Sequence, residues 1–271
     1  MTATISSTYE VRLDGLIPAT VLPMTADGAI DERALRRYVQ WIAAQGPVAL
    51  AVNADTGEGP SLEPHERLRV IEIAREETDL PLVTGLFDIA EARDVRRAGA
   101  VAALVFPVAD RTVDYHREIV DQGLDAIAFQ LQPALGGIEY DRATIEALTA
   151  IDGVIAIKEA SFDREKCADA VKISSKPVLT GNDNFILESF ELGCTGALVG
   201  FGAVRTGEQV QMIADWHRGA TADARAASDR LQPLADEVFA PPVSDYRRRL
   251  KELLVADGVL DAAHMRSGSA S

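Results

Sequence analysis

The amino-acid sequence predicts an α/β protein, a (β/α)8 barrel (TIM barrel) with a C-terminal helical extension. Three observations support this fold class. Short apolar runs recur eight times, segments with helical spacing separate them, and beyond Gly200 the pattern is helical only. Nearly continuous apolar runs are typical of strands buried on both faces, as in parallel sheets. The 271 residues are enough for one such barrel.

The eight predicted strands are rich in Val, Ile, Leu and Ala. They cover residues 16–20, 48–52, 82–85, 102–106, 126–131, 154–157, 177–180 and 195–199. Four helix starts carry a capping residue or a proline, namely Asp31, Ser61 with Pro64, Asp141 and Asp163. The alternative fold is an open doubly wound sheet, but its Gly-x-Gly-x-x-Gly fingerprint does not follow the first strand.

We divide the chain into a barrel, residues 1–204, and a helical extension packed on it, residues 205–271. We expect residues 205–265 to be helical throughout, interrupted only by Ala240-Pro241-Pro242. The last residues, 266–271, are expected to fray.

Composition excludes several classes of function. Lys and Arg number 27 against 42 Asp and Glu, a net charge of −15, which argues against nucleic acid or an anionic membrane as a partner. No apolar run reaches the roughly 18 residues of a membrane-spanning helix, and no secretory signal is visible. Two cysteines make no disulfide framework, so we expect a cytoplasmic protein. The four histidines have no metal-site spacing, and we expect neither a metal nor a cofactor.

One lysine stands apart on physical grounds. Side chains alternate across a strand, so Lys158 shares a face with Val154 and Ala156, whereas Ile155 and Ile157 share the other. Lys158 then points into the barrel near its C-terminal end, where TIM-barrel enzymes hold their active sites. A desolvated lysine there is a competent nucleophile. The alternative is a lysine that reaches from the strand end to solvent. The other lysines considered look solvent-exposed: Lys166, Lys172, Lys176 and Lys251.

Several short motifs occur in a fixed order along residues 13–260. They are Ala54-Asp55-Thr56-Gly57-Glu58, Ile157-Lys158-Glu159, Thr180-Gly181-Asn182-Asp183, Gly193-Cys194-Thr195-Gly196 and Pro241-Pro242-Val243. Together they resemble the dihydrodipicolinate synthase / N-acetylneuraminate lyase superfamily of class I aldolases, of which this chain looks like a divergent member.

The resemblance implies a chemistry, and the candidate site residues include positions where this sequence departs from the family pattern. Lys158 would form a Schiff base with pyruvate or another 2-oxo acid, in an aldolase or dehydratase reaction. Asp55 and Thr56 join Lys158 as candidate catalytic residues. The candidate substrate-binding residues are Thr56, Gly57, Phe129, Gln130, Gln132, Asp183 and Gly200. Family members are commonly dimers or tetramers, so a homo-oligomer is expected.

The sequence departs from the family pattern at the fifth strand. Phe129 stands where the family has a proton-shuttling tyrosine, and a phenyl ring cannot transfer a proton. The arginine that follows Pro133 in the synthases is missing, and so is the aromatic pair after the fourth strand. Dihydrodipicolinate synthesis itself is therefore not expected. Tyr115 and Tyr140 are other phenols, but both are predicted to be surface residues.

Asp55 replaces the first hydroxyl residue of the carboxylate-binding loop. An ionised Asp55 would repel a substrate carboxylate beside it. Three alternatives avoid this repulsion: Asp55 pairs with Lys158 or another cation, Asp55 is protonated, or the substrate has no carboxylate at this place. Asp55 is a candidate for the proton transfer that the missing tyrosine performs, and the alternative is a loop hydrogen bond. Gln130 and Gln132 are candidates to bind substrate, or else satisfy the loop backbone.

Three functions remain open at this point. The first is the Schiff-base lyase. The second is a catalytically altered family member that binds a small metabolite. The third is a hydrolase or isomerase that uses Asp55 and Glu58 as acid and base without an imine, although Glu58 is more easily interpreted as an anchor of its loop.

Overall fold

The computed structural model describes residues 11–133 and 136–266. Eight parallel strands lie in the order β1-β8-β7-β6-β5-β4-β3-β2, and a bridge between Ala19 and Ala51 brings the two ends together into a nearly closed barrel. The strands are β1 (Leu16–Pro18), β2 (Leu50–Val52), β3 (Leu82–Leu86), β4 (Ala100–Val105), β5 (Asp125–Leu131), β6 (Val154–Ala160), β7 (Val178–Thr180) and β8 (Gly196–Val199). The predicted (β/α)8 barrel is confirmed.

A helix follows each strand, and two more come after the eighth. They are α1 (Glu32–Ala43), α2 (Pro64–Glu77), α3 (Ala92–Ala98), α4 (Thr112–Asp121), α5 (Arg142–Thr149), α6 (Arg164–Ile173), α7 (Ile186–Glu191), α8 (Thr206–His217), α9 (Thr221–Val238) and α10 (Tyr246–Ala256). The boundary between barrel and extension at residue 204 stays a prediction. No helix in the described ranges is long and apolar enough to cross a membrane.

Three of the four predicted helix starts are confirmed by their caps. The carboxylates of Asp31, Asp141 and Asp163 each accept backbone N–H bonds from the first turn of α1, α5 and α6. Such bonds satisfy N–H groups that lack a partner in the helix. For α2, Pro64 is the first residue as predicted, but Ser61 was wrong as the cap, because Glu63 is the cap and forms a capping box with Glu66.

The sheet separates two apolar layers. Ile127, Phe129 and Ala156 belong to the barrel interior, whereas Ile157 packs on the helix side. The predicted alternation holds from Ala156 onward but is wrong at the start of β6. Strand pairing shifts register there, so the extra residue Ile155 packs against the interior and Val154 lies on the helix side.

The C-terminal segment differs from the prediction. Helix α10 ends at Ala256, and residues 257–266 are not helical. Arg266, which was expected to fray, donates its backbone N–H to Glu58 at 3.0 Å and pairs with Glu66 at 2.7 Å. Residues 267–271 lie outside the described ranges. This segment therefore returns to the barrel at the loop after β2.

Candidate active site

A cavity of about 1000 Å³ opens at the C-terminal ends of the strands. This is the end at which TIM barrels carry their chemistry. It brings together most of the residues singled out in the sequence, namely Asp55, Thr56, Phe129, Gln132, Lys158, Asp183 and Gly200. The start of α10 contributes Tyr246 and Arg247 to the same cavity.

Lys158 is the buried amine of this cavity. It projects from β6 into the barrel, and the residue is 8% exposed. Its Nζ lies 4.1 Å from the centre of the Phe129 ring. Burial lowers the pKa of Lys158 to about 8, although the negative charges of Asp183 and Asp55 act in the opposite direction. A methyl group on Gly181 would lie 2.6 Å from Lys158 Cε, so the glycine leaves the space that this side chain occupies.

Asp183 comes from the loop after β7 and is also buried. Its Oδ1 accepts the Phe201 N–H at 2.7 Å. Burial raises the pKa of Asp183 to about 6, and the N–H bond and the Lys158 charge oppose that rise. The turn is fixed by its neighbour Asn182, whose amide donates to the Glu159 carboxylate at 2.6 Å. The cavity thus holds a carboxylate close to the lysine.

Asp55 is paired with two residues of α10. Arg247 Nη2 lies 2.8 Å from Asp55 Oδ1, and Tyr246 Oη donates to Oδ2 at 2.5 Å. The cation in direct contact with Asp55 is therefore Arg247 and not Lys158. Tyr246 Oη also lies 3.4 Å from Thr56 Oγ1.

Sequence reasoning missed Tyr246 and Arg247. They lie 191 and 192 residues from Asp55 along the chain, so no local spacing joins them to it. The available signal was their position shortly after Pro241-Pro242-Val243, a motif that the resemblance already covered.

Two predicted substrate-binding residues lie outside the cavity lining. Gln130 faces the helix side, where its amide donates to Glu159 at 3.3 Å and its oxygen accepts the Tyr140 N–H at 3.1 Å. Gly57 packs against the Thr20 carbonyl, and its N–H donates to Ala54 O at 3.1 Å. The structure does not support substrate contacts for either residue.

The other two candidate tyrosines are buried and not on the surface as predicted. Tyr140 donates its hydroxyl to Phe129 O at 3.0 Å, on the helix side of β5. Tyr115 lies in the same apolar layer, on α4. Neither lines the cavity.

Lys251 was predicted to be solvated, and this is wrong. Its side chain is 0% exposed, and Nζ lies 2.5 Å from Glu58 Oε1, which is equally buried. Glu58 Oε2 accepts the Arg266 N–H. These contacts agree with the interpretation of Glu58 as an anchor of the loop after β2. Within the described ranges, no group of three or more His, Cys, Asp or Glu side chains is arranged to hold a metal ion.

Comparison with known proteins identifies the family. A sequence model of the Dihydrodipicolinate synthetase family matches residues 12–269. The chain belongs to this family. That confirms the resemblance, and with it the prediction of an enzyme of the dihydrodipicolinate synthase-like lyase family.

Relatives of known name agree with the family assignment. A 4-hydroxy-tetrahydrodipicolinate synthase of Bifidobacterium longum is 26% identical over 264 residues, covering 93% of this chain and 87% of the relative. The enzyme of the same name from Methanothrix thermoacetophila is 29% identical over 240 residues, covering 83% and 81%.

Solved structures share the fold of this family member. A putative dihydrodipicolinate synthetase from Pseudomonas aeruginosa superposes with a TM-score of 0.86 at 22% identity, covering 96% of this chain and 94% of that one. A prophage protein of the dihydrodipicolinic acid synthase family from E. coli K12, in complex with pyruvate, gives 0.86 at 21% identity, covering 95% and 92%.

Proposed function

We propose that this protein is a Schiff-base-forming lyase, an aldolase or dehydratase, that acts on pyruvate or another 2-oxo acid through Lys158. The observation that carries the proposal is the buried Lys158 amine in the cavity at the C-terminal end of the barrel. Two structural relatives, from Acinetobacter baumannii and E. coli, are described as complexes with pyruvate.

The chemistry requires a neutral amine. A pKa near 8 leaves roughly a tenth of Lys158 neutral at pH 7, whereas an ordinary lysine leaves less than about one part in a thousand. The amine attacks the 2-oxo carbon, a C–N bond forms, and the oxygen leaves as water. The resulting iminium accepts the electron pair of the bond that breaks next.

We assign binding of the substrate to groups that line the cavity. In this assignment Thr56 Oγ1 donates to the substrate carboxylate, and pairing of Asp55 with Arg247 reduces the repulsion between the two carboxylates. Phe129, Gln132, Asp183 and Gly200 complete the wall around the amine. The acid–base alternative with Asp55 and Glu58 is less favoured, because Glu58 is bonded to Lys251 and Arg266.

The first test is the intact-protein mass after incubation with pyruvate and cyanoborohydride. We expect a pyruvyl increment in the wild type and in Lys172→Ala, an exposed lysine of α6, but none in Lys158→Ala. A panel of other 2-oxo acids follows if pyruvate gives no adduct. Failure of the whole panel would exclude the imine, whereas an adduct without turnover would favour the altered, metabolite-binding family member.

We also propose that the protein is a homo-oligomer, a dimer or tetramer, as the family resemblance implies. One structural relative is described as a monomeric dihydrodipicolinate synthase variant, so family membership alone does not fix the assembly. Sedimentation velocity distinguishes these states, and a monomer at micromolar concentration would contradict the proposal.

A further inference from the structure

We infer that Tyr246, the first residue of α10, transfers the protons of the reaction and takes the place of the tyrosine that β5 lacks. Asp55 is its proton acceptor. This inference rests on the proposed Schiff-base function, because the protons in question belong to a substrate attached to Lys158.

The Tyr246 hydroxyl joins two residues of the loop after β2. It donates to Asp55 Oδ2 at 2.5 Å and lies 3.4 Å from Thr56 Oγ1. Arg247 holds the carboxylate from the other side, with Nη2 at 2.8 Å from Oδ1 and Nε at 3.3 Å from Oδ2. The Tyr246 ring is stacked on Phe239, with centroids 5.2 Å apart. Phenol and carboxylate are therefore both fixed in position.

Tyr246 adjoins the space beside the reactive amine. A methyl group on Gly200 would lie 2.9 Å from Thr56 Oγ1, 3.4 Å from Tyr246 Cε2 and 3.6 Å from Asp183 Oδ1. These three groups therefore surround one point in the cavity that Lys158 also lines. Lys158 is close enough to Asp183 and Asp55 for both charges to affect its pKa. A substrate attached to the amine therefore occupies the same cavity as these three groups.

Among the described tyrosines, only Tyr246 lines the cavity. Tyr38 bonds to Ala203 O on the helix side, and Tyr140 bonds to Phe129 O. Tyr115 lies on α4. Burial and the neighbouring Asp55 raise the pKa of Tyr246 well above 10, so the hydroxyl is protonated at neutral pH and needs the carboxylate to release its proton.

The proton transfer balances without another reagent. In the cleavage direction, the hydroxyl proton of the Lys158-bound substrate passes to Tyr246 Oη while the phenol proton passes to Asp55 Oδ2. The substrate oxygen forms a carbonyl, the adjacent C–C bond breaks, and its electron pair moves to the iminium nitrogen. An aldehyde and an enamine result. With pyruvate alone, a methyl proton of the iminium passes to Tyr246 as the phenol proton passes to Asp55, and the C–H electron pair moves to the iminium nitrogen to give an enamine. Asp55 exchanges its proton with solvent, and the reverse transfer returns solvent hydrogen to the methyl group.

The test separates imine formation from proton transfer. Cyanoborohydride adducts at Lys158 measure the first, and incorporation of solvent deuterium into the pyruvate methyl group, followed by NMR, measures the second. Tyr246→Phe is expected to keep the adduct and to exchange at least about a hundredfold more slowly. Tyr115→Phe, which removes a phenol outside the cavity, is the matched control and should exchange like the wild type.

Asp55→Asn supplies an independent variant, in case Tyr246→Phe melts at a much lower temperature. Asp55→Asn should slow exchange to a similar degree. The double variant, Tyr246→Phe with Asp55→Asn, should exchange as fast as the slower of the two single variants, because both residues belong to one relay. Exchange within about threefold of wild type in folded Tyr246→Phe or in Asp55→Asn would overturn the inference. Absence of any wild-type adduct across the 2-oxo acid panel would overturn the proposed function, and this inference with it.

Discussion

Burial and nearby negative charge act in opposite directions on the Lys158 amine. Removal from water disfavours the ammonium ion, whereas Asp183 and Asp55 favour it, and the resulting pKa is about 8. Asp183 is itself buried, with a pKa of about 6, so it is ionised at the pH at which Lys158 titrates. The carboxylate therefore holds part of the amine in its unreactive form.

Replacing Asp183 by Asn tests this charge effect. Asparagine keeps an oxygen that can accept the Phe201 N–H but loses the negative charge, so the pKa of Lys158 should fall below about 8. The initial rate of adduct formation with pyruvate rises with pH through the pKa of the amine. We expect the midpoint of that rise to move to lower pH in Asp183→Asn. Asp169→Asn, an exposed residue of α6, is the control, and an unchanged or higher midpoint in Asp183→Asn would contradict the assignment.

Gly181 tests the space around the amine. In Gly181→Ala the new methyl group would meet Lys158 Cε at 2.6 Å and the Ala160 side chain at 2.8 Å, so the lysine must move. We expect adduct formation to slow by at least about tenfold, since small displacements of reacting groups cost rate. Gly207→Ala on α8 meets nothing closer than 3.5 Å and should leave the rate unchanged. Equal adduct rates in the two variants would show that Gly181 does not set the lysine's position.

At the level of elements, the sequence predicts the regular alternation of side chains within a strand but not the register between neighbouring strands. The alternation along β6 correctly places Lys158 inside the barrel, because the strand is regular from Ala156 to its end. The register shift at Ile155 depends on pairing with β5, and a single strand does not reveal it. Gln132 lines the cavity although alternation would group it with Gln130, because it follows the last residue of β5 and alternation applies only within a strand.

Helix α10 shows why the charged parts of the site were harder to predict. Leu250 and Leu254 share its buried face, and Lys251 adjoins them, a spacing that could have indicated burial. A buried lysine, however, depends on a partner, and Glu58 is 193 residues away in the chain. Tyr246 and Arg247 raise the same difficulty with Asp55. The sequence could therefore predict the lysine but not the α10 residues that contact its cavity.

At the scale of the whole molecule, residues of the C-terminal extension hold the loop after β2 in place. Tyr246 and Arg247 hold Asp55, Lys251 holds Glu58, and Arg266 contacts both Glu58 and Glu66. The loop itself is tight, since Glu58 has a φ of 55°. Long-range ion pairs of this kind connect this loop to the extension, so the stability of the fold and the shape of the cavity depend on the same contacts.

The Glu58–Lys251 pair gives a prediction at this scale. Lys251→Met keeps the apolar length of the side chain but removes the ammonium group from a fully buried carboxylate. Removing one member of a buried pair costs about 3–5 kcal/mol, because the charge left behind is poorly solvated. We expect a loss of that size in the free energy of unfolding by urea. Lys172→Met, at an exposed position, should change it by less than about 0.5 kcal/mol. Adding Glu58→Gln to Lys251→Met removes the remaining charge and should recover part of the lost stability. If the double variant is instead less stable than Lys251→Met, the other contacts of the carboxylate, such as that with the Arg266 N–H, contribute more than the ion pair.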